Sequence, residues 1–115
     1  MHQPQVSVSV RKGKNGVNVI DLAGQVTAAA EAPLSDAYEK ASAKARAVIL
    51  NFSQLEYMNS SGIGLVVTLL IRANRQGKRL CAVGLSDHYK EIFLLTRLSE
   101  AIKLFDTEQA ALAAI

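Results

Sequence analysis

Met58-Asn59-Ser60-Ser61-Gly62-Ile63-Gly64 is the stretch that most constrains the fold of this chain. It sets two hydroxyls and two glycines after an apolar run, Ala47 to Phe52, that reads as a buried strand. After it, from Ile63 to Ile71, apolar residues recur at i, i+3, i+4 and i+7, as on one face of a helix. The polar cluster therefore occupies a strand-to-helix turn. At such a turn the first amide groups lack intrahelical partners and the macrodipole presents partial positive charge, so Ser or Asn caps the helix and a phosphate finds an anion site. Two readings of Ser60 follow. It is a modifiable switch, or it is one of several ordinary caps with Asn59 and Ser61, while Gly62 and Gly64 let the helix pack closely on a sheet.

The rest of the chain reads as one α/β unit spanning 1–115, without repeat, linker or low-complexity segment. Val6 to Val10 alternates apolar and polar residues like an edge strand, Gly13-Lys14-Asn15-Gly16 supplies a turn, and Val17 to Leu22 completes a hairpin. A helix is expected over Pro33 to Lys44, with Leu34, Ala37, Tyr38, Ala41 and Ala45 on one face. Strand three is expected over Ala47 to Phe52, and the following helix over Ser61 to Gln76, stopped at Gly77. Leu80 to Val83 is the next strand and Ser86 caps a helix over Asp87 to Leu95. A short strand, Ile102 to Phe105, and an Ala-rich helix from Thr107 finish the chain. Strands alternating with helices imply right-handed parallel crossovers, hence a mixed, mostly parallel sheet with an antiparallel N-terminal hairpin at one edge and helices packed on it.

The stretches Leu50 to Gly64, Arg79 to Ser86 and Ile92 to Leu98, together with Val19 to Val26, resemble in order and spacing the anti-sigma factor antagonists, a branch of the STAS domains. The likeness covers nearly the whole chain. Its most specific element is the Asp-Ser-(Ser/Thr)-Gly-(Leu/Ile)-Gly signature, matched by Asn59 to Gly64 at every position but the first. In phosphorylated relatives the serine after the aspartate is the acceptor, a role that carries over to Ser60, with Ser61 the less favoured candidate. Here Asn59 replaces the acid. A second departure lies after strand two, where the family's Gly-Glu-(Leu/Ile)-Asp is replaced by Gly24-Gln25-Val26-Thr27. Asparagine keeps the hydrogen bonds but cannot act as a carboxylate toward a hydroxyl proton, so phosphorylation is expected to be slow.

The resemblance implies a binding module that captures an anti-sigma factor of the serine-kinase type and so frees a sigma factor, gated by phosphate on Ser60 and reset by a serine phosphatase. The expected phosphosite loop is Asn59, Ser61, Gly62 and Gly64 around Ser60. The expected partner-binding residues are Thr27, Ile63, Leu65, Val66, Leu69 and Arg72, because the helix carries more apolar positions than one core-facing stripe requires. The alternative is an unmodified STAS scaffold subunit of a larger signalling complex, which the two missing acids favour.

Composition narrows the remaining classes. At 115 residues and 50% hydrophobic, the chain builds one core but not two. Ile63 to Ile71 is interrupted by Gly64 and Thr68 and falls short of the ~20 apolar residues that cross a bilayer. The N-terminal Met1-His2-Gln3-Pro4-Gln5 lacks the basic and apolar regions of a signal peptide, so a cytoplasmic setting without a membrane partner is expected, and Cys81 reads as a core thiol. Thirteen basic and 10 acidic residues give a net charge of +3. From Ser61 to Ser86 there is no acid, while Arg72, Arg75, Lys78 and Arg79 make either a basic patch or a solvated helix end. With no Trp and no recognised motif, direct nucleic-acid binding is not expected. Nor is an enzyme: His2 and His88 are the only candidate bases, no Gly-x-Ser-x-Gly elbow or phosphate-binding loop occurs, and no spaced Cys/His set implies a metal or other cofactor.

Overall fold

A computed structural model describes residues 6–115. His2 and the N-terminal pentapeptide lie outside the described residues. The chain order is β1 (Val6–Lys12), β2 (Val17–Val26), a 3-10 turn (Ala28–Ala30), α1 (Glu31–Ser42), β3 (Ala47–Met58), α2 (Ser60–Arg75), β4 (Arg79–Val83), α3 (Asp87–Leu95), a second 3-10 turn (Leu98–Glu100), β5 (Lys103–Phe105) and α4 (Glu108–Ala114). β1 pairs antiparallel with β2, and every later pair is parallel, so the expected mixed sheet with its edge hairpin is what forms.

Spatial order equals chain order, β1-β2-β3-β4-β5. Crossovers between parallel strands are right-handed, and here all of them step in the same direction, so α1, α2 and α3 must lie on one face of the sheet. The packing agrees: Ile20, Leu22, Val48, Leu50, Leu80 and Ala82 point to that face and share a cluster with Leu34 and Tyr38 of α1, Val66 and Leu69 of α2, and Phe93 of α3. The opposite face carries Val17, Val19, Ala47, Ile49, Cys81 and Val83, covered by Ala111 of α4 with Phe105, Leu112 and Ile115 beside it. Both faces of the central strands are thus apolar, which is why Val48-Ile49-Leu50 reads as an unbroken run. Each fully buried large side chain, such as Phe52 or Phe93, contributes roughly 1.5–3 kcal/mol relative to exposure.

Several element bounds differ from the sequence expectation. α1 starts two residues early, because the Thr27 cap opens a 3-10 turn that runs directly into it, with Pro33 still in the first turn. It stops at Ser42 rather than Lys44, whose φ of 58° is left-handed, and Ala45 is buried beyond the helix instead of on it. β3 continues to Met58, six residues past Phe52, because Gln54 to Met58 still pairs with Ala23 to Val26 of β2 after β4 has ended. Those residues are mostly exposed, so no apolar run marks them.

Candidate functional site

Parallel pairing of β2 and β3 ends on the register row Val26 to Met58, so the loops that leave the two strands emerge side by side. The next residue on each is a neutral cap. Thr27 Oγ1 accepts the Ala29 N–H at 3.4 Å, and Asn59 Oδ1 accepts the Gly62 N–H at 2.9 Å while its carbonyl takes the Ile63 N–H at 3.0 Å. Asn59, not Ser60, is therefore the N-cap of α2. Ser60 is its first helical residue, and Ser60 and Ser61 are both exposed. Gly62 is buried, and a Cβ there would overlap the Val26 carbonyl oxygen and stand 2.8 Å from Met58 Cγ. The tight seat of this turn on β2 demands glycine.

The start of α2 differs electrically from its neighbours. α3 has Asp87 and α4 has Glu108 in the first turn, whereas α2 has no acid there. Its positive dipole end is left uncompensated beside two exposed hydroxyls, an arrangement that accommodates an added anion.

Helical period then sorts the expected partner-binding residues. Val66 is 0% and Leu69 2% exposed, on the stripe with Leu70 and Ala73 that fills the core. These two must be removed from the partner-facing set: they hold α2 on the sheet. Ile63 and Leu65 are half-buried against the same core, and Thr27 is half-buried. Arg72 is half-buried too, its guanidinium 4.8 Å over the Tyr38 ring and Nη1 donating to Ser35 Oγ at 3.0 Å. The exposed stripe instead runs through Ser60, Gly64, Val67 and Ile71, with Ile71 47% exposed. Val67 and Ile71 were legible by counting 3.6-residue turns from Ser60. Leu94 and Leu95, exposed at 66% and 74% at the end of α3, were not, since a pair of adjacent leucines normally buries one. A Cβ on Gly64 would meet nothing within 4 Å. Between α1 and α2 lies a cleft of about 300 Å³ lined by Leu34, Ser35, Leu65, Thr68 and Arg72, with Glu31 at its margin.

Other titratable groups lie apart from this turn. Arg11 forks between Asp21 (2.5 Å) and Glu108 (2.6 Å) on the α4 face. Its hydrogen bond, helped by one from Asn51 Nδ2, holds the Asp21 carboxyl below the usual carboxylate range. Burial pushes the Cys81 thiol up, as for a core residue. His88 is exposed, edge-on to Tyr89, whose hydroxyl accepts the Met58 N–H at 2.8 Å and so braces the last residue before the turn. Among the described residues no group of three or more His, Cys, Asp and Glu is arranged to hold a metal.

Comparison with known proteins agrees with this geometry. The family model described as the STAS domain matches residues 9–111. The anti-sigma-B factor antagonist of Listeria monocytogenes is 25% identical over 104 residues, 90% of this chain and 91% of that protein. An anti-sigma factor antagonist from Mycobacterium paratuberculosis has the same fold, with a TM-score of 0.83, 20% identity and coverage of 100% and 98% of the two chains. So does the Bacillus cell fate determinant SpoIIAA in its phosphorylated form, with a TM-score of 0.68, 22% identity and coverage of 94% and 98%.

Proposed function

The chain belongs to the STAS domain family, and from that premise we propose that it is an anti-sigma factor antagonist whose partner contact is gated at Ser60. One observation carries the reading: Ser60 is exposed at the first position of a helix whose N-terminal turn holds no acid, at the head of an exposed stripe through Gly64, Val67 and Ile71. The unmodified stripe offers apolar surface to an anti-sigma factor. A phosphoryl group on Ser60 Oγ adds about −1.5 to −2 charge at its head. That charge suits the helix terminus and opposes a desolvated interface, so it blocks association without unfolding the domain. The relatives named as antagonists, and the fold shared with a protein known in a phosphorylated form, support the same reading.

The test is affinity capture from the native host, followed by titration of the captured anti-sigma factor against the wild type and Ser60→Asp. The variant is expected to bind at least tenfold more weakly, about 1.4 kcal/mol, with nearly unchanged thermal stability. Equal affinity would sink the gate.

A second reading, a constitutive scaffold subunit, is favoured by the two neutral caps. Thr27 and Asn59 stand where relatives carry acids, and both side chains are spent on backbone N–H groups. Intact mass of the protein from its own cells, with and without phosphatase, separates the two. A population heavier by one phosphoryl group supports the gate, and its absence under every growth condition supports the scaffold.

A further inference from the structure

Charge is divided along the strands. At the end of the sheet opposite Ser60, Gly16, Arg46 and Arg79 lie in a row: the Arg46 N–H donates to the Gly16 carbonyl at 2.9 Å and the Arg79 N–H to the Arg46 carbonyl at 3.1 Å. The β1–β2 hairpin brings Lys12 and Lys14 to this end. α1 and the connection after it bring Lys40 and Lys44, and α2 with its own exit brings Arg75 and Lys78. Lys103 opens β5 in register with Cys81, two residues along from Arg79. Most of the chain's 13 lysines and arginines are therefore gathered at one pole. The acids beside them are few: Asp36 and Glu39 of α1, which share a groove with Lys40, and Glu100, which is paired with Arg97.

Internal contacts account for only part of this charge. Lys78 Nζ donates to the Ser42 carbonyl at the end of α1, and Arg46 donates to the carbonyls of Asn15 and Ile115. Lys12, Lys14, Lys44, Arg75, Arg79 and Lys103 remain exposed. Between Lys78, Arg79 and Lys103 opens a cleft of about 200 Å³ with Leu70, Leu80 and Ile115 in its walls.

We propose that this pole docks on the anionic headgroups of a lipid bilayer. Lysine predominates, and its ammonium is a hydrated point charge suited to a diffuse negative surface rather than to reading base edges. None of the residues that build the pole is aromatic, so it offers no platform on which bases could stack. An apolar cleft ringed by cations matches the glycerol and upper acyl region beneath a phosphate, for which a nucleic-acid backbone has no counterpart. Among the described residues no helix is long and apolar enough to span a membrane, and peripheral docking uses none. β3 separates the pole from the Ser60 turn by 12 residues, roughly 40 Å at ~3.3 Å per residue. That is several times the ~8 Å over which salt screens charge at physiological ionic strength. A docked molecule would present the Ser60 end away from the membrane, with partner exchange there unimpeded.

Co-sedimentation with vesicles of phosphatidylglycerol and phosphatidylcholine, against phosphatidylcholine alone, tests this. The wild type is expected to bind the anionic vesicles at least roughly tenfold more tightly and to be released by salt. Lys14→Glu with Arg79→Glu should abolish at least ninety per cent of that affinity. Lys90→Glu with Gln25→Glu and Gln54→Glu, an equal change of net charge placed at the Ser60 end, should leave it within about twofold. Circular dichroism of both variants checks folding. Equal binding to neutral vesicles, equal loss in the two charge-matched variants, no binding at all, or tighter binding to duplex DNA than to the anionic vesicles would each overturn the proposal.

Discussion

The two ends of α2 are fixed by different means. At the N-terminal end the fit is between backbones: Gly62 lies against the Val26 carbonyl and the Asn59 N–H points to the same oxygen at 3.4 Å. At the C-terminal end the fit is made by side chains. Arg72 stacks on Tyr38 and reaches Ser35, Gln76 Oε1 accepts the Tyr38 hydroxyl at 3.0 Å, and Lys78 ties the exit of α2 to the end of α1. An end seated by backbone contact leaves its side chains unspent, and Ser60 and Ser61 consequently face solvent. Of the two cations in the last turn, Arg72, although near the surface, acts first as a brace between helices, whereas the exposed Arg75 is left for the basic pole.

Three substitutions break or sharpen that contrast. Gly62→Ala should have the largest effect, a loss of about 3 kcal/mol in chemical denaturation, because the colliding atom is a strand carbonyl that cannot rotate away. A loss under about 1 kcal/mol would mean that the turn is not seated as described. Arg72→Ala should cost about 1–1.5 kcal/mol, the sum of a partly buried cation–π contact and one hydrogen bond. Its effect on partner binding should be smaller than that of Ser60→Asp. Gly64→Ala should have the smallest effect and the opposite sign, a gain of about 0.5–1 kcal/mol in stability, since the added methyl meets no atom and a helical glycine is replaced. If the same variant weakens capture of the anti-sigma factor, a glycine with no structural reason to be there is explained by close approach of the partner.

The elements that sequence patterns revealed are those whose packing is continuous along the chain. β4, the apolar half of β3 and the core stripe of α2 each announce themselves because every inward position is apolar. The distal half of β3 does not, because from Ser53 to Tyr57 the strand pairs only with β2 and presents mostly exposed residues. Sequence pattern likewise set the core residues Val66 and Leu69 among those expected to face a partner. Val66 and Val67 are equivalent in hydropathy, and only the angular position of α2 on the sheet sends the first to the core and leaves the second 36% exposed. The signature turn was legible in outline, but the division of labour inside it was not. Which of Asn59, Ser60 and Ser61 caps the helix depends on where the strand ends, and that is fixed by the register of Val26 with Met58.

That the sheet lists its strands in the order in which the chain supplies them bears on how the molecule is made. Each new strand finds its template already laid down by the one before it, so no strand has to be inserted between two others, and every closure is about as short as a crossover helix allows. The backbone seat of the Ser60 turn on β2 can form as soon as β2 and β3 have met, before β5 or α4 has been synthesised, with the Tyr89 brace added once α3 is made. What must wait for α4 is the clasp of Arg11 on Glu108, across a sequence separation of 97. The backbone seat of the Ser60 turn would thus be in place before the fastening of β1 to α4 closes the fold.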